Sequence, residues 1–313
     1  MSPCRRAVID IGTNSVKLLL AEVRGHDIDP VLEESEQTRL GRGFYEEHRL
    51  QAGPIRDTAR AVSRLAGKAR MHHAASIDLI ATSAARDAQN ATELKDAIQQ
   101  SSGLAVRIIT GEEEAELAYR GVTSNEVFRH RPLLILDVGG GSTEMIAGSG
   151  EHHLFRHSFP VGSVRLQERF PPSDPPAPGE QEQCRQWLAE QFPKPGDARF
   201  AIPLPVGSQE PIQLVGTGGS ATILARMERQ MTGYDRSQID GLMLSRQRVR
   251  ETLDRLWGLR LAERKLIVGL PPNRADIILM GVLIYDTLMD LYDHDTLAIT
   301  TRGLRFGALR PLD

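Results

Sequence analysis

Three short segments of the 313-residue chain set glycines, hydroxyls and backbone N–H groups directly after an apolar run. The first is Asp10 followed by Ile11, Gly12, Thr13, Asn14 and Ser15. The second is Asp137 followed by Val138, Gly139, Gly140, Gly141, Ser142, Thr143 and Glu144. The third is Gly216, Thr217, Gly218, Gly219 and Ser220. Glycine lets a backbone come close to an anion and reaches the positive φ angles that turn successive N–H groups inward. Hydroxyls add donors, and a helix opening after the third segment would add its positive end. Turn geometry alone would explain one such segment. Three of them, two preceded by an acid, point to phosphate. A carboxylate beside a polyanion is repulsive unless a cation sits between them. Asp10, Asp137 and Glu144 are therefore natural ligands for Mg²⁺, or Mn²⁺ in its place.

Further residues could join this chemistry. Lys17, two residues after Ser15, could reach a phosphate as a point charge or could be an exposed lysine on a strand. Arg86, in ATSAARDAQN, follows a strand and would point to the sheet edge that carries the loops, though taken alone it reads as an ordinary surface arginine. Glu112, Glu113 and Glu114 open a helix, where acids complement the dipole and cap it; the alternative is that one of them polarises a water for attack on phosphorus. The patterns GxxxxGK[ST] and GxGxxG are absent, which excludes the two commonest nucleotide-binding motifs. The pairs His72-His73 and His152-His153, and His294, lack carboxylates at ligand spacing and read as solvated. Cys4 and Cys184 exclude a disulfide framework and have no neighbouring base.

The elements that hold these residues read as α/β. Residues 7–11 and 16–23 form a hairpin around GTNS, followed by a helix at 57–72, a strand at 76–82, a helix at 91–101, a strand at 105–110 and a helix at 112–121. The same grammar restarts with strands at 133–138, 144–147 and 154–159, an internal repeat with an acid before each turn and a period that means domain duplication. Helices are expected at 164–170 and 180–192 around a proline loop, PPSDPPAPG. Then come a strand at 212–216, helices at 221–231, 246–257, 262–268 and 273–291, and a strand at 296–300. The net charge of −3 supplies no basic field for nucleic acid, so recognition of any anion must be local. The ratio of 33 Arg to 5 Lys is explained at least as well by codon usage as by phosphate binding. No run is long enough to span a membrane and no signal-peptide core is present, so a cytoplasmic protein is expected.

Taken together, DIGTNSVKLLLAEV, ATSAARDAQN, ITGEEEAELAYRGV, LLILDVGGGSTE, FPVGSVRLQERF, LVGTGGSATILA and RADIILMGVLIYDTL…TRGLRFGAL resemble the exopolyphosphatase/guanosine pentaphosphate phosphohydrolase (Ppx/GppA) family. They occur in its order across residues 7–309. The resemblance implies two ribonuclease-H-like domains of the actin and acetate/sugar-kinase type, with an active-site cleft between them. The first would cover 1–122, with about 300–313 returning to it, and the second 123–299. It also implies roles. Glu114 would be the catalytic glutamate that positions or deprotonates water, and Glu112 and Glu113 helix-start residues. Asp137 and Glu144 would be the acidic pair near phosphate and Mg²⁺, and Arg86 a phosphate-contacting arginine. Gly12 to Ser15, Gly139 to Thr143 and Gly216 to Ser220 would be the phosphate loops.

The expected reaction is in-line attack of water on a terminal phosphorus of inorganic polyphosphate, releasing orthophosphate. The alternatives are a pppGpp or nucleoside polyphosphate phosphatase, a phosphotransferase of the same superfamily, and a non-catalytic nucleotide-binding scaffold. Longer relatives carry a further helical C-terminal region, so a chain ending after GLRFGAL is expected to favour short polyphosphates. A homodimer would draw on the apolar helix near 277–291, although a buried core is the expected place for it.

Overall fold

The computed structural model describes residues 4–150, 152–194 and 211–310. The chain runs through β1 (Cys4–Ile11), β2 (Ser15–Arg24), β3 (Asp27–Gln37), α1 (Ala52–Met71), β4 (Ser76–Ala81), α2 (Ser83–Arg86), α3 (Ala91–Ser102), β5 (Arg107–Ile108) and α4 (Gly111–Thr123). It continues through β6 (Pro132–Val138), β7 (Thr143–Ser149), β8 (His152–Phe159), α5 (Ser163–Arg169), α6 (Pro178–Gln191), β9 (Gln213–Thr217), α7 (Gly218–Glu228), α8 (Arg236–Ile239) and β10 (Met243–Ser245). Last come α9 (Arg246–Trp257), α10 (Leu261–Arg264), α11 (Ile278–Leu291), β11 (Thr296–Ile299) and α12 (Leu304–Leu309). Two compact units result, Met1–Asn125 with Arg302–Asp313, and Glu126–Thr301. Of the C-terminal return expected at 300–313, residues 311–313 lie outside the described residues.

The first unit is built on a five-stranded sheet in the order β3-β2-β1-β4-β5, antiparallel through the first three strands and parallel from β1 to β5. Alternation along β1 divides its side chains. Ala7, Ile9 and Ile11 pack toward α1 and α3, while Val8 packs on the other face with Leu304, Phe306 and Leu309 of α12. α12 lies against α4 through glycine. A Cβ on Gly121 would strike the Gly303 carbonyl, and one on Gly307 would strike that of Leu117.

The second unit repeats the plan as β8-β7-β6-β9-β11, with β10 added at the edge. This is the ribonuclease-H-like order twice over. The repeat extends to an irregularity of pairing. The register of β2 with β3 shifts at Leu20/Ala21, and that of β7 with β8 shifts at Ala147/Gly148, equivalent positions counted from Asp10 and Asp137. α11 is buried in the core of this unit from Ile278 to Met289.

Several elements differ from their sequence reading. β3 was not expected: DIDPVLEESEQ is too acidic to read as a strand, and it survives as an edge whose Glu34 and Glu36 pair with Lys68 and Arg64 of α1. The strand expected at 105–110 shrinks to two residues because Thr110 caps α4. The helix expected at 262–268 stops at Arg264, and its apolar Leu266 is 82% exposed. The long helix expected from 273 starts at Ile278, after a 3-10 turn at Pro272–Arg274 that begins on two prolines.

Candidate active site

The first two glycine segments are the same turn. Gly12 N–H donates to the Ser15 carbonyl at 3.0 Å, and Gly139 N–H to that of Ser142 at 3.0 Å. In each, the loop carbonyls are tied from behind. The Thr13 carbonyl accepts from Gly41 N–H (2.7 Å), and that of Asn14 from the N–H groups of Thr38 (3.2 Å) and Arg39 (3.0 Å). In the second unit, Gly139 O accepts from Ser163 N–H (3.0 Å), and Gly140 O from those of Val164 (2.8 Å) and Arg165 (3.1 Å). Gly141 O accepts from the Arg165 side chain, Nε, at 2.9 Å. A planar trans peptide points its N–H opposite to its C=O. Tying the carbonyls back therefore turns forward the N–H groups of Asn14 and Ser15 in one loop, and those of Gly140, Gly141 and Ser142 in the other. Gly162 allows this approach, since a Cβ there would lie within 2.5 Å of the Gly140 carbonyl and Gly141 N.

Not every hydroxyl expected to meet an anion is aimed at one. Thr143 is buried and gives its proton to the Val161 carbonyl at 2.6 Å, so it anchors the turn instead of donating outward. The third segment contains no loop. Gly216 and Thr217 end β9 and α7 begins at Gly218, three residues before the helix start read from the sequence. Gly216 is shaped by packing, its missing Cβ leaving room for the Tyr285 ring, and Ser220 is buried against Gly281. Gly218 makes the turn alone, with φ +88°, and a side chain there would also strike the Asp137 carboxylate.

The acids differ between the repeats. Asp10 lies opposite Lys17 in the β1–β2 register, whereas Asp137 lies opposite Glu144 in β6–β7. Asp10 Oδ1 is buried without a hydrogen bond; desolvation raises this carboxyl above its ordinary value, opposed by the charges of Lys17 and Arg305. Glu144, 1% exposed, accepts from Ser158 Oγ at 2.7 Å. Two carboxylates directly opposite one another are unfavourable unless a proton or cation intervenes. Asp137 and Glu144 in the second unit, and the unsatisfied Asp10 oxygen in the first, thus have the donor chemistry of a hard divalent ion. Among the described residues no group of three or more His, Cys, Asp or Glu side chains is gathered to enclose a metal. An ion held here would keep most of its shell for water and phosphate oxygens, as Mg²⁺ commonly does.

α4 sorts the three adjacent glutamates at its start. Thr110 is the N-cap; its hydroxyl accepts from Glu113 N–H (3.1 Å) while the Glu113 carboxylate accepts from Thr110 N–H (2.8 Å), a capping box. Glu112 faces solvent. Glu114 alone turns inward, 8% exposed, and accepts from Arg86 Nη1 at 2.8 Å. Arg86 ends α2 and also reaches the Ile109 carbonyl at 3.4 Å and Asp87 at 3.7 Å. In the first unit the fold thus joins Arg86 to Glu114, and sets Asp10 opposite Lys17 on the strands that flank the Gly12–Ser15 turn.

Some residues of the site escaped the sequence reading. The segment from Thr38 to Gly41, which ties the first loop, follows an edge strand that was not foreseen. Arg165 lies within FPVGSVRLQERF and Arg305 within TRGLRFGAL, segments whose local pattern assigns neither arginine a role. Arg305 is brought by α12 to the Leu18 carbonyl (3.0 Å) and Glu33 (3.5 Å). An arginine inside each recurring motif was the available signal.

Comparison with known proteins bears on this arrangement. Residues 19–311 match the family model described as "Ppx/GppA phosphatase family". The chain is 34% identical over 302 residues to a Mycobacterium tuberculosis protein named exopolyphosphatase 2, covering 92% of this chain and 91% of that one. A solved structure of the Aquifex aeolicus PPX-GPPA enzyme is similar with a TM-score of 0.78 and 29% identity, over 98% of this chain and 99% of that one. An exopolyphosphatase structure from Cytophaga hutchinsonii gives a TM-score of 0.84 at 24% identity, covering 97% of this chain and 96% of that one, a likeness of fold.

Proposed function

Because the chain belongs to the Ppx/GppA phosphatase family, whose members hydrolyse phosphoanhydrides, we propose that it is a Mg²⁺-dependent exopolyphosphatase that removes the terminal phosphate of inorganic polyphosphate. The observation that carries this reading is the Arg86–Glu114 pair. Of three adjacent glutamates, one caps, one is solvated, and the third is buried on a guanidinium, where a helix needs no acid. The relative named exopolyphosphatase 2 supports polyphosphate over a nucleotide as substrate.

In this reading Glu114 accepts a proton from the attacking water and aligns its oxygen with the terminal phosphorus, while Arg86 fixes the carboxylate and offers positive charge to the phosphate. A P–O bond forms to water, the bridging P–O bond breaks, and orthophosphate leaves the shortened chain. In each unit the hairpin-loop N–H groups, joined in the second unit by those of the first turn of α7, are the donors for charge on phosphate oxygens. Lys17 adds a cation on the first hairpin. Asp137 and Glu144 in the second unit, and Asp10 in the first, are the residues with the donor chemistry to hold Mg²⁺ or Mn²⁺, which when bound would neutralise phosphate charge.

A side-by-side assay of orthophosphate release from tripolyphosphate, long-chain polyphosphate, pppGpp and ATP, each with Mg²⁺ and with EDTA, tests the proposal. Mg²⁺-dependent release that is fastest from polyphosphate is expected. Faster release from pppGpp or ATP would overturn the substrate assignment, and equal rates in EDTA would overturn the metal requirement.

A further inference from the structure

We propose that Arg165 is a positioning residue of the second phosphate loop, holding the Gly141 carbonyl back so that Ser142 N–H is aimed at a phosphate oxygen. The proposal rests on the phosphate-binding reading of that loop and adds the device that orients it.

The three loop carbonyls of Gly139, Gly140 and Gly141 are tied differently. The first two meet backbone N–H groups at the start of α5, from Ser163, Val164 and Arg165, which any sequence with that backbone would supply. The third has a side-chain donor, Arg165 Nε at 2.9 Å. Since a peptide is planar, the orientation of the Gly141 carbonyl is also the orientation of Ser142 N–H. Glycine at 139, 140 and 141 leaves these peptides free to rotate, so an untied Gly141 carbonyl has no steric reason to stay turned away. Arg165 is itself anchored close by, its own N–H bonded to the Gly140 carbonyl. The first loop lacks such dependence: the Asn14 carbonyl is held by the backbone N–H groups of Thr38 and Arg39. One amide of the second loop is therefore set by one side chain.

The chemistry of the donor supplies the test. Arg Nε and Gln Nε2 lie the same number of bonds from Cα, whereas Lys Nζ lies one bond further out. Arg165→Gln keeps a donor in place without the charge, Arg165→Lys keeps the charge but displaces the donor, and Arg165→Met removes both. The ¹⁵N-labelled proteins would be titrated with orthophosphate while the Ser142 amide resonance is followed, and KM and kcat measured on tripolyphosphate with Mg²⁺. Wild type and Arg165→Gln should show the same Ser142 response. Arg165→Met and Arg165→Lys should show a shifted Ser142 resonance before any phosphate is added, and a KM and orthophosphate Kd raised roughly tenfold, the scale of one charge-assisted hydrogen bond, with kcat changed much less. Arg165→Met or Arg165→Lys titrating like wild type would overturn the proposal, as would Arg165→Gln binding as weakly as Arg165→Met, since charge would then be the active property. Two of the three variants are polar replacements of a half-buried side chain, so the comparison survives if Arg165→Met does not fold. A wild-type loop whose amides ignore orthophosphate would instead sink the phosphate reading itself, along with what rests on it.

Discussion

A glutamate in the first turn of a helix has an ordinary use, and at 112–114 the chain offers three candidates for it. Thr110 and Glu113 have capping-box spacing, so the ordinary use could be assigned from sequence, but the burial of Glu114 depends on Arg86, which lies 28 residues earlier in the chain. That contact is what no local pattern could supply. Arg86→Met should therefore lower kcat on tripolyphosphate by at least tenfold, because Glu114 loses the group that fixes it. Comparing steady-state kinetics of folded wild type and variant checks this. For the acids facing each other across β6 and β7, Asp137→Asn should raise the Mg²⁺ concentration needed for half-maximal rate by roughly tenfold, one lost charge-assisted ligand; a metal titration with an unchanged midpoint would remove Asp137 from the ligand set. Thr143 shows the limit of motif reading: its hydroxyl belongs to a family loop, yet its proton is given to Val161.

At the scale of elements, most helices and core strands were legible, because apolar periodicity follows burial. α9 occupies the span read for it, and β1 and β2 extend theirs by a few residues. β3 was hidden because its stability comes from pairing with β2 and from charges on α1, neither of which leaves an apolar pattern. The segment after α10 failed for the opposite reason, since Leu266 and Val268 are apolar yet exposed. Two substitutions test the packing described here. Gly121→Ala should separate α12 from α4, lowering the melting temperature and moving Arg305 away from the first hairpin; an unchanged melting curve would contradict the tight helix contact. In the second unit, Asp286 is buried within the apolar α11 and paired with Arg185 of α6 and Arg250 of α9. Removing it as Asp286→Ala should cost about 3 kcal/mol in a denaturant titration, since two guanidinium groups lose their buried counter-charge.

For the molecule as a whole, one hairpin has been used twice, with residues of opposite charge facing its acid. The duplication was legible in DIGTNS and DVGGGST, and the structure extends it to the register shift in each meander and to the ties behind each loop. What the repeat does not share is the residue facing the acid: Lys17 in the first unit, Glu144 in the second. Against a net charge of −3, the groups suited to an anion are local: forward-turned amides on both hairpins, Lys17 on the first, and on the second a carboxylate pair with the donor chemistry for Mg²⁺. The central claim remains that Glu114 activates water at phosphorus, and Glu114→Gln tests it most directly. Glutamine keeps the shape and can still accept from Arg86, so folding and substrate affinity should persist. Orthophosphate release from tripolyphosphate at saturating substrate and Mg²⁺ should fall by roughly a hundredfold or more with KM little changed. Turnover equal to wild type would contradict the account.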